Sequence, residues 1–183
     1  ASFLGVWDCE QRPNDPLVVV DVGGGSSEVA WGTTGEMSGW LSLPLGGVRL
    51  SAVQGHADPV ADAHVQDMRQ VIDDHLDVLT TTAPPSPIAY ACSGSIRRLF
   101  ALADLDDEVL SRSELDRLVG RLEHARLRAE RLAMPGMDKD RVDVLLPAAL
   151  LHQAMAHRYG WDAYRLSRGG LRWGLLCGAV QAN

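Results

Sequence analysis

Two carboxylates flank a glycine-rich stretch near the start of the chain. Asp21 ends an apolar run, Glu28 precedes another, and one valine, three glycines and two serines stand between them. Carboxylates so placed could both reach a divalent cation that bridges phosphate oxygens. Glycines permit a tight turn and let backbone N–H groups approach an anion closely. The residues indicate either an anion and metal site or a tight turn with one solvated carboxylate on each side, and residue types alone leave both open.

Two strands must position this stretch. The run Leu17–Val22 is short, β-branched and apolar on both faces, which is typical of a buried strand. After the glycines, Val29 and Trp31 alternate with their neighbours, so a second strand follows rather than a helix. A Walker loop is excluded because it needs a lysine ahead of a helix, and the Rossmann spacing is absent. The sequence therefore predicts a strand–glycine turn–strand hairpin.

A second candidate anion site follows a short apolar strand predicted for 88–92. Ser93-Gly94-Ser95 stands there, ahead of a helix predicted to open at Ile96. A strand, a small polar turn and a helix start bring unpaired amides and two hydroxyls together, which suits an anion. The alternative is an ordinary helix N-cap, which serine also provides, and the residues alone favour this alternative.

Arg141 is the third candidate, near the start of a helix predicted for 138–159. A cation at a helix start is unfavourable for the helix dipole, which slightly favours an anionic partner. An ion pair with Asp140 or Asp143 is an equal alternative. Pro147 should kink this helix or mark its inner start.

Composition limits the function classes. The chain has 183 residues, 46% of them hydrophobic, which suits one globular domain. A net charge of −7 argues against a nucleic-acid partner, and a polyanionic substrate would need local arginines, a metal or both. Cys9, Cys92 and Cys177 form no CxxC motif, which fits a reducing cytoplasm. No apolar run is long enough to cross a membrane.

The remaining elements set the fold class. Beyond the hairpin and the segments already described, we predict a third strand over Glu36–Leu43, a helix that starts at Asp58 and Pro59 and ends by 80–82, a helix over 114–132 capped by Ser113, a strand over 162–167 and a helix over 171–180. A three-strand meander followed by alternating strands and helices fits an α/β, ribonuclease-H-like lobe with a mixed sheet flanked by helices.

The hairpin also resembles a known motif. Residues 21–28 are similar to the Asp-x-Gly-Gly-Gly-Ser-Thr-Glu motif of the exopolyphosphatase / guanosine pentaphosphate phosphohydrolase (Ppx/GppA) family, within the actin, sugar kinase and heat-shock chaperone ATPase superfamily, with Ser27 at the Thr position. Further similar segments are Ser-Phe-Leu-Gly at 2–5, Gly-Val-Arg-Leu at 47–50, Ser-Gly-Ser at 93–95, Arg-Val-Asp-Val at 141–144 and Leu-Arg-x-Gly at 171–174. The chain departs from the family at Trp173, which replaces a Glu, and at Ala148 and Ala149, which replace glycines.

The resemblance implies hydrolysis of a terminal phosphoanhydride on inorganic polyphosphate or a guanosine polyphosphate. Asp21 and Glu28 are then the catalytic carboxylates that hold Mg²⁺. Phosphate-binding residues would be Gly23, Gly24, Gly25, Ser26, Ser27, Ser93, Gly94, Ser95 and Arg141. Residues 1–183 would be a single C-terminal lobe, with the N-terminal lobe and its general base absent, so the chain alone should have little or no activity. The family commonly dimerises, which makes a homodimer a candidate assembly.

Two other functions remain open at this stage. The lobe could be a non-catalytic module that binds guanosine tetraphosphate or another nucleotide, which predicts binding without turnover. An ATP-dependent kinase or actin-like ATPase would need an adenine pocket, and Ser-Gly-Ser matches the glycine-rich adenosine motif of those proteins poorly.

Overall fold

A computed structural model describes residues 1–11, 14–54, 57–79, 83–105 and 109–181. These residues form a six-stranded sheet in the order β3-β2-β1-β4-β6-β5. The strands are β1 (Leu17–Val22), β2 (Ser27–Thr33), β3 (Glu36–Leu43), β4 (Ile88–Ala91), β5 (Val109–Ser111) and β6 (Ala163–Leu166). The central strands β1, β4 and β6 are parallel, and the others pair antiparallel with their neighbours. The predicted mixed α/β fold is confirmed.

Helices cover both faces of this sheet. They are α1 (Ser2–Cys9), α2 (Gly47–Ser51), α3 (Asp62–Asp77), α4 (Gly94–Leu102), α5 (Arg112–His124), α6 (Arg128–Leu132), α7 (Leu145–Tyr159) and α8 (Leu171–Gln181), with a 3₁₀ turn at Ala52–Gln54. Within the described ranges, no helix has the length and hydropathy needed to cross a membrane.

The alternation of β1 places Asp21. Leu17 and Val19 pack with Phe3 and Val6 of α1 on one face, while the intervening valines join the larger core on the other face. Because side chains alternate along a strand, Asp21 lies on the α1 face, at the carboxyl end of β1. The apolar residues before it therefore anchor the carboxylate at the edge of the sheet.

The Ser-Phe-Leu-Gly segment at 2–5 lies in the first turns of helix α1. Phe3 and Val6 are buried against β1. A Cβ added to Gly5 would collide with the carbonyl oxygen of Gly170 and lie 2.7 Å from the amide of Gly174. Only glycine permits this approach, so α1 fixes the start of α8 beside the end of β1.

The predicted helix start at Asp58 is wrong. Helix α3 begins at Asp62, and Asp58 instead accepts a 2.8 Å hydrogen bond from the backbone N–H of Arg128, at the start of α6. A carboxylate satisfies the free amides of any helix start that folding brings to it. The predicted end of this helix, at 80–82, lies outside the described residues.

The predicted continuous helix over 114–132 is also wrong. Ser111, not Ser113, caps α5, and its hydroxyl and amide form a capping box with Glu114. The chain then breaks near Ala125, where the buried Arg131 guanidinium donates to the carbonyls of Ala125 and Arg126. Strand β5, which precedes the cap, was not predicted.

Helix α7 begins at Leu145, seven residues later than predicted, and residues 139–144 form turns. Pro147 is its third residue, which confirms the inner-start alternative. The missing N–H of proline costs nothing in the first turn, where amides have no partner within the helix.

We expect Gly120→Ala to stabilise the protein by about 0.5–1 kcal/mol. Gly120 lies inside α5, and a Cβ added there has no neighbour within 4 Å. Alanine loses less backbone entropy than glycine when a helix forms. Equilibrium denaturation checks this value, with Gly136→Ala as the contrasting variant, since Gly136 has φ +83 and its Cβ would lie 2.7 Å from Ala101 O. A Gly120→Ala protein less stable than wild type would contradict the expectation.

Candidate functional site

A cavity of about 550 Å³ lies at the carboxyl ends of the parallel strands β1, β4 and β6. Its walls comprise residues 21–24, 47, 48, 92–95, 97, 141, 144, 145, 148 and 168–173, and we call it the strand-end cavity. Ligands of open α/β sheets bind in the crevice outside the carboxyl ends of the strands. All three anion-binding candidates of the sequence contribute residues to this cavity.

Asp21 lies in the cavity wall, half-buried, and its Oδ2 accepts a 3.1 Å hydrogen bond from Ser2 Oγ of α1. Glu28 is its direct cross-strand partner in β2, so the two side chains share one face of the sheet. Ser42, opposite Glu28 in β3, donates to Glu28 Oε1 at 3.4 Å. Glu28 is beside Asp21 but is not part of the wall.

The glycine turn closes on itself. The Gly23 N–H donates to Ser26 O at 2.9 Å, and the buried Ser27 hydroxyl donates to Leu45 O at 2.7 Å. The amides of Gly24 and Gly25 have no hydrogen-bond partner in the described part of the chain. Gly23 and Gly24 line the cavity, whereas Gly25, Ser26 and Ser27 are not part of its wall. The Gly24 amide is thus the backbone donor best placed for an anion.

The start of α2 holds the tip of this hairpin. The Gly47 amide donates to Gly23 O at 3.0 Å, and the amides of Val48 and Arg49 donate to Gly24 O at 2.9 and 3.0 Å. These bonds occupy the carbonyl oxygens of Gly23 and Gly24 and tie the hairpin to α2. The Arg49 guanidinium donates to Pro44 O at 2.6 Å, so this side chain fixes the segment that leads into α2.

The N-terminus of α4 forms the opposite wall. Ser93 caps the helix, since its Oγ accepts from the Ile96 N–H at 3.3 Å. The cap leaves the amides of Gly94 and Ser95 in the first turn, where they lie at the positive end of the helix dipole. Ser95 Oγ lies 2.8 Å from Ser93 Oγ and donates to Val22 O at 3.2 Å. The N-cap and an anion site are therefore compatible at this turn.

Arg141 approaches this same turn. Its Nη2 lies 3.9 Å from the point that a Cβ on Gly94 would occupy. Within the described residues Arg141 has no ion pair, and Asp143 is bound by Arg128 at 3.0 Å instead. The structure thus brings two candidates that are far apart in sequence into contact range.

Sequence reasoning missed three arginines of the cavity wall: Arg97, Arg168 and Arg172. With Arg141 they place four cations against the single carboxylate of Asp21, in a chain whose net charge is −7. Arg97 is fixed by a 3.1 Å bond from its guanidinium to Ser167 O. Arg168 comes two residues after the end of β6, so the rule that parallel strands end together could have identified it.

Cys92 and Trp173 complete the wall near Asp21. Burial, reinforced by the Asp21 charge, raises the pKa of the Cys92 thiol far above its usual range, so the thiol stays protonated. Trp173 Nε1 donates to Asp8 Oδ2 at 3.0 Å. An indole rather than a carboxylate thus occupies this position of the wall.

Asp21 and Glu28 are the residues that could hold a metal. In the described part of the chain, no group of three or more His, Cys, Asp or Glu side chains could bind a metal ion by itself. Two adjacent hard-oxygen donors fit Mg²⁺, which is bound through one or two carboxylates and takes its other ligands from water and substrate phosphate. They do not fit a structural zinc site, which needs four protein ligands.

Comparison with known proteins gives a family. A sequence model of the Ppx/GppA phosphatase family matches residues 1–183. An uncharacterized protein of Streptomyces coelicolor is 31% identical over 174 residues, which is 88% of this chain and 51% of that protein. Exopolyphosphatase 1 of Mycobacterium tuberculosis is 28% identical over 172 residues, or 87% of this chain and 49% of that protein. The chain spans about half the length of these curated relatives.

The fold is similar to that of solved family members. A Ppx/GppA family structure from Aquifex aeolicus superposes with a TM-score of 0.85 at 22% identity, over 99% of this chain and 61% of that one. An exopolyphosphatase from Cytophaga hutchinsonii gives 0.79 at 25% identity, over 99% and 62%. The chain therefore has the fold of these family structures.

Proposed function

The chain belongs to the Ppx/GppA phosphatase family, and from this premise we propose that it is one lobe of a hydrolase that releases terminal phosphate from inorganic polyphosphate or guanosine pentaphosphate. One observation supports this most strongly: the strand-end cavity joins the glycine hairpin, the α4 N-terminus and four arginines. An acidic protein that concentrates cations in one cavity is suited to a polyanionic ligand.

Phosphate is bound in this proposal by groups on facing walls. The Gly24 amide approaches from the hairpin, and the amides of Gly94 and Ser95 approach from α4. Helix N-terminal amides suit phosphate because they combine free donors with the positive end of a dipole. Arg141, next to Gly94, adds a guanidinium that can bind phosphate oxygens in pairs.

Asp21 and Glu28 hold Mg²⁺ in this proposal, with Asp21 nearer the cavity. Bound there, the ion would neutralise phosphate charge and favour attack by water. Ser2, which donates to Asp21 Oδ2, helps to fix the orientation of the carboxylate.

The reaction breaks the terminal P–O–P bond and forms a bond from water oxygen to phosphorus, in line with the leaving phosphate. The arginines of the wall stabilise the charge that spreads over the phosphoryl oxygens. We propose that the general base that removes the water proton comes from a second lobe, because this chain matches only about half of its curated relatives.

The test measures Mg²⁺-dependent phosphate release by the longer protein that contains this chain. Long-chain polyphosphate and guanosine pentaphosphate are supplied separately, and the faster substrate identifies the enzyme. We expect release from at least one of them, and little or none from residues 1–183 alone.

Two results would contradict the proposal. Tight binding of guanosine tetraphosphate without turnover of either substrate would favour the sensor alternative. Phosphate release by residues 1–183 alone that is lost in Asp21→Ala would show that no second lobe is needed.

A further inference from the structure

A fully buried imidazole lies behind the phosphate-facing turn of α4. His152, in the middle of α7, has no solvent exposure, and its Nε2 lies 3.3 Å from Ser95 Oγ. Its Nδ1 is also buried and has no hydrogen-bond partner among the described residues. The sequence analysis did not identify His152, because a histidine within an apolar helix has no motif around it.

The surroundings determine which ring nitrogen bears the proton. A proton on Nδ1 would be a buried donor without an acceptor, which costs the full desolvation penalty of the group. A proton on Nε2 is donated to Ser95 Oγ, and only the bare Nδ1 acceptor then lacks a partner. An unpaired buried acceptor costs less than an unpaired buried donor. The neutral tautomer with its proton on Nε2 is therefore favoured.

This tautomer controls the hydroxyl of Ser95. If Nε2 were bare, Ser95 would donate its only proton to His152 and have none for a ligand. With Nε2–H as donor, the Ser95 oxygen accepts from the ring and its own proton points elsewhere. In the structure that proton goes to Val22 O at 3.2 Å, at the base of the glycine hairpin. Ser95 also lines the cavity, so a bound phosphate oxygen can replace Val22 O as acceptor.

We propose that His152 is a positioning residue that keeps the Ser95 hydroxyl proton available to a phosphate oxygen in the strand-end cavity. This inference rests on the proposed function, since it assigns a role within the same site. It also links α7 to the two phosphate-facing walls through the chain His152–Ser95–Val22.

The imidazole is held neutral and in a fixed orientation. Burial lowers the pKa of His152 to about 3, so the ring adds no positive charge at neutral pH. The Tyr164 ring packs edge-on against it, with centroids 5.1 Å apart, and the Tyr164 hydroxyl donates to His152 O at 2.9 Å. The ring contact restricts rotation of the imidazole away from Ser95, and the hydroxyl bond fixes the His152 backbone.

A double-mutant cycle in the longer protein tests the proposal. The probe is imidodiphosphate with Mg²⁺, a non-hydrolysable anion whose affinity calorimetry measures directly. We expect His152→Phe and Ser95→Ala each to weaken binding about fivefold, the effect of one hydrogen bond. The double variant should also lose about fivefold rather than about twenty-fivefold, because both changes remove the same donor. His152→Gln, whose amide can donate from a similar position, should recover most of the affinity.

Several outcomes would overturn it. Unchanged affinity in His152→Phe, or a further full loss when His152→Phe is added to Ser95→Ala, would make His152 a packing residue only. If His152→Phe does not fold, ¹⁵N chemical shifts of the wild-type imidazole still decide, and a proton on Nδ1 contradicts the proposal. Absence of imidodiphosphate binding and of hydrolysis by the wild type would instead reject the proposed function, and this inference with it.

Discussion

Asp21→Asn is expected to reduce Mg²⁺-dependent phosphate release by about a thousandfold or more, with the fold intact. The side chain keeps its size, and its remaining oxygen can still accept from Ser2 Oγ. What disappears is the only negative charge in a wall that also contains four arginines. The metal then loses its nearest carboxylate, and the amide offers a much weaker ligand.

The measurement is phosphate release by the longer protein over a range of Mg²⁺ concentrations. Glu28→Gln should change the activity in the same direction, because Glu28 is the cross-strand partner of Asp21. Asp74→Asn is the matched control, since Asp74 is an exposed carboxylate of α3, outside the cavity wall, that accepts from Gln70. Activity near the wild-type level in Asp21→Asn, at any Mg²⁺ concentration, would remove Asp21 from the catalytic machinery.

The hairpin that positions Asp21 could be predicted because residues within and next to it in the sequence determine its structure. The observed bounds of β1 and β3 are the predicted ones, since Gly-rich turns, β-branched runs and Pro44 mark them directly. Helix α4 was also predicted, but it begins at Gly94, two residues before the predicted Ile96, because the Ser93 cap starts the helix directly after itself. These elements include most of the candidate site residues.

The predicted helix boundaries were wrong where residues distant in the sequence determine them. Asp58 binds an amide at the start of α6 rather than one in α3, the helix that follows it in sequence. The Arg131 side chain binds carbonyls near Ala125, where the helix predicted over 114–132 is interrupted. The cavity arginines were missed for the same reason. Arg97, Arg168 and Arg172 come from α4, the end of β6 and α8, and only the sheet order brings these elements together. The role of His152 depends on its contact with Ser95, which is 57 residues away in the sequence.

Gly46→Ala is expected to lower the free energy of unfolding by about 2 kcal/mol and activity by about tenfold to a hundredfold. Gly46 precedes α2 and packs on the tip of the glycine hairpin. A Cβ there would lie 2.5 Å from Gly23 O and 2.6 Å from both the carbonyl carbon and the oxygen of Gly24. These are backbone atoms, so no side chain can rotate to relieve the contact. Gly46 has an extended backbone, φ −141 and ψ 176, so the effect is steric and not a matter of allowed φ.

The displacement must reach the glycine hairpin in the wall of the strand-end cavity, because α2 and the hairpin share three hydrogen bonds next to Gly46. Moving Gly46 away from Gly23 and Gly24 lengthens the bonds from Gly47, Val48 and Arg49, and the Gly24 amide then turns relative to Asp21. Gly120→Ala adds the same methyl group where nothing lies within 4 Å and should leave activity unchanged. Activity is compared at temperatures where both variants stay folded, which separates a displaced site from a smaller folded fraction. A Gly46→Ala protein with wild-type stability and wild-type KM would mean that the hairpin moves freely against α2. The geometry assigned to the hairpin wall of the strand-end cavity would then be wrong.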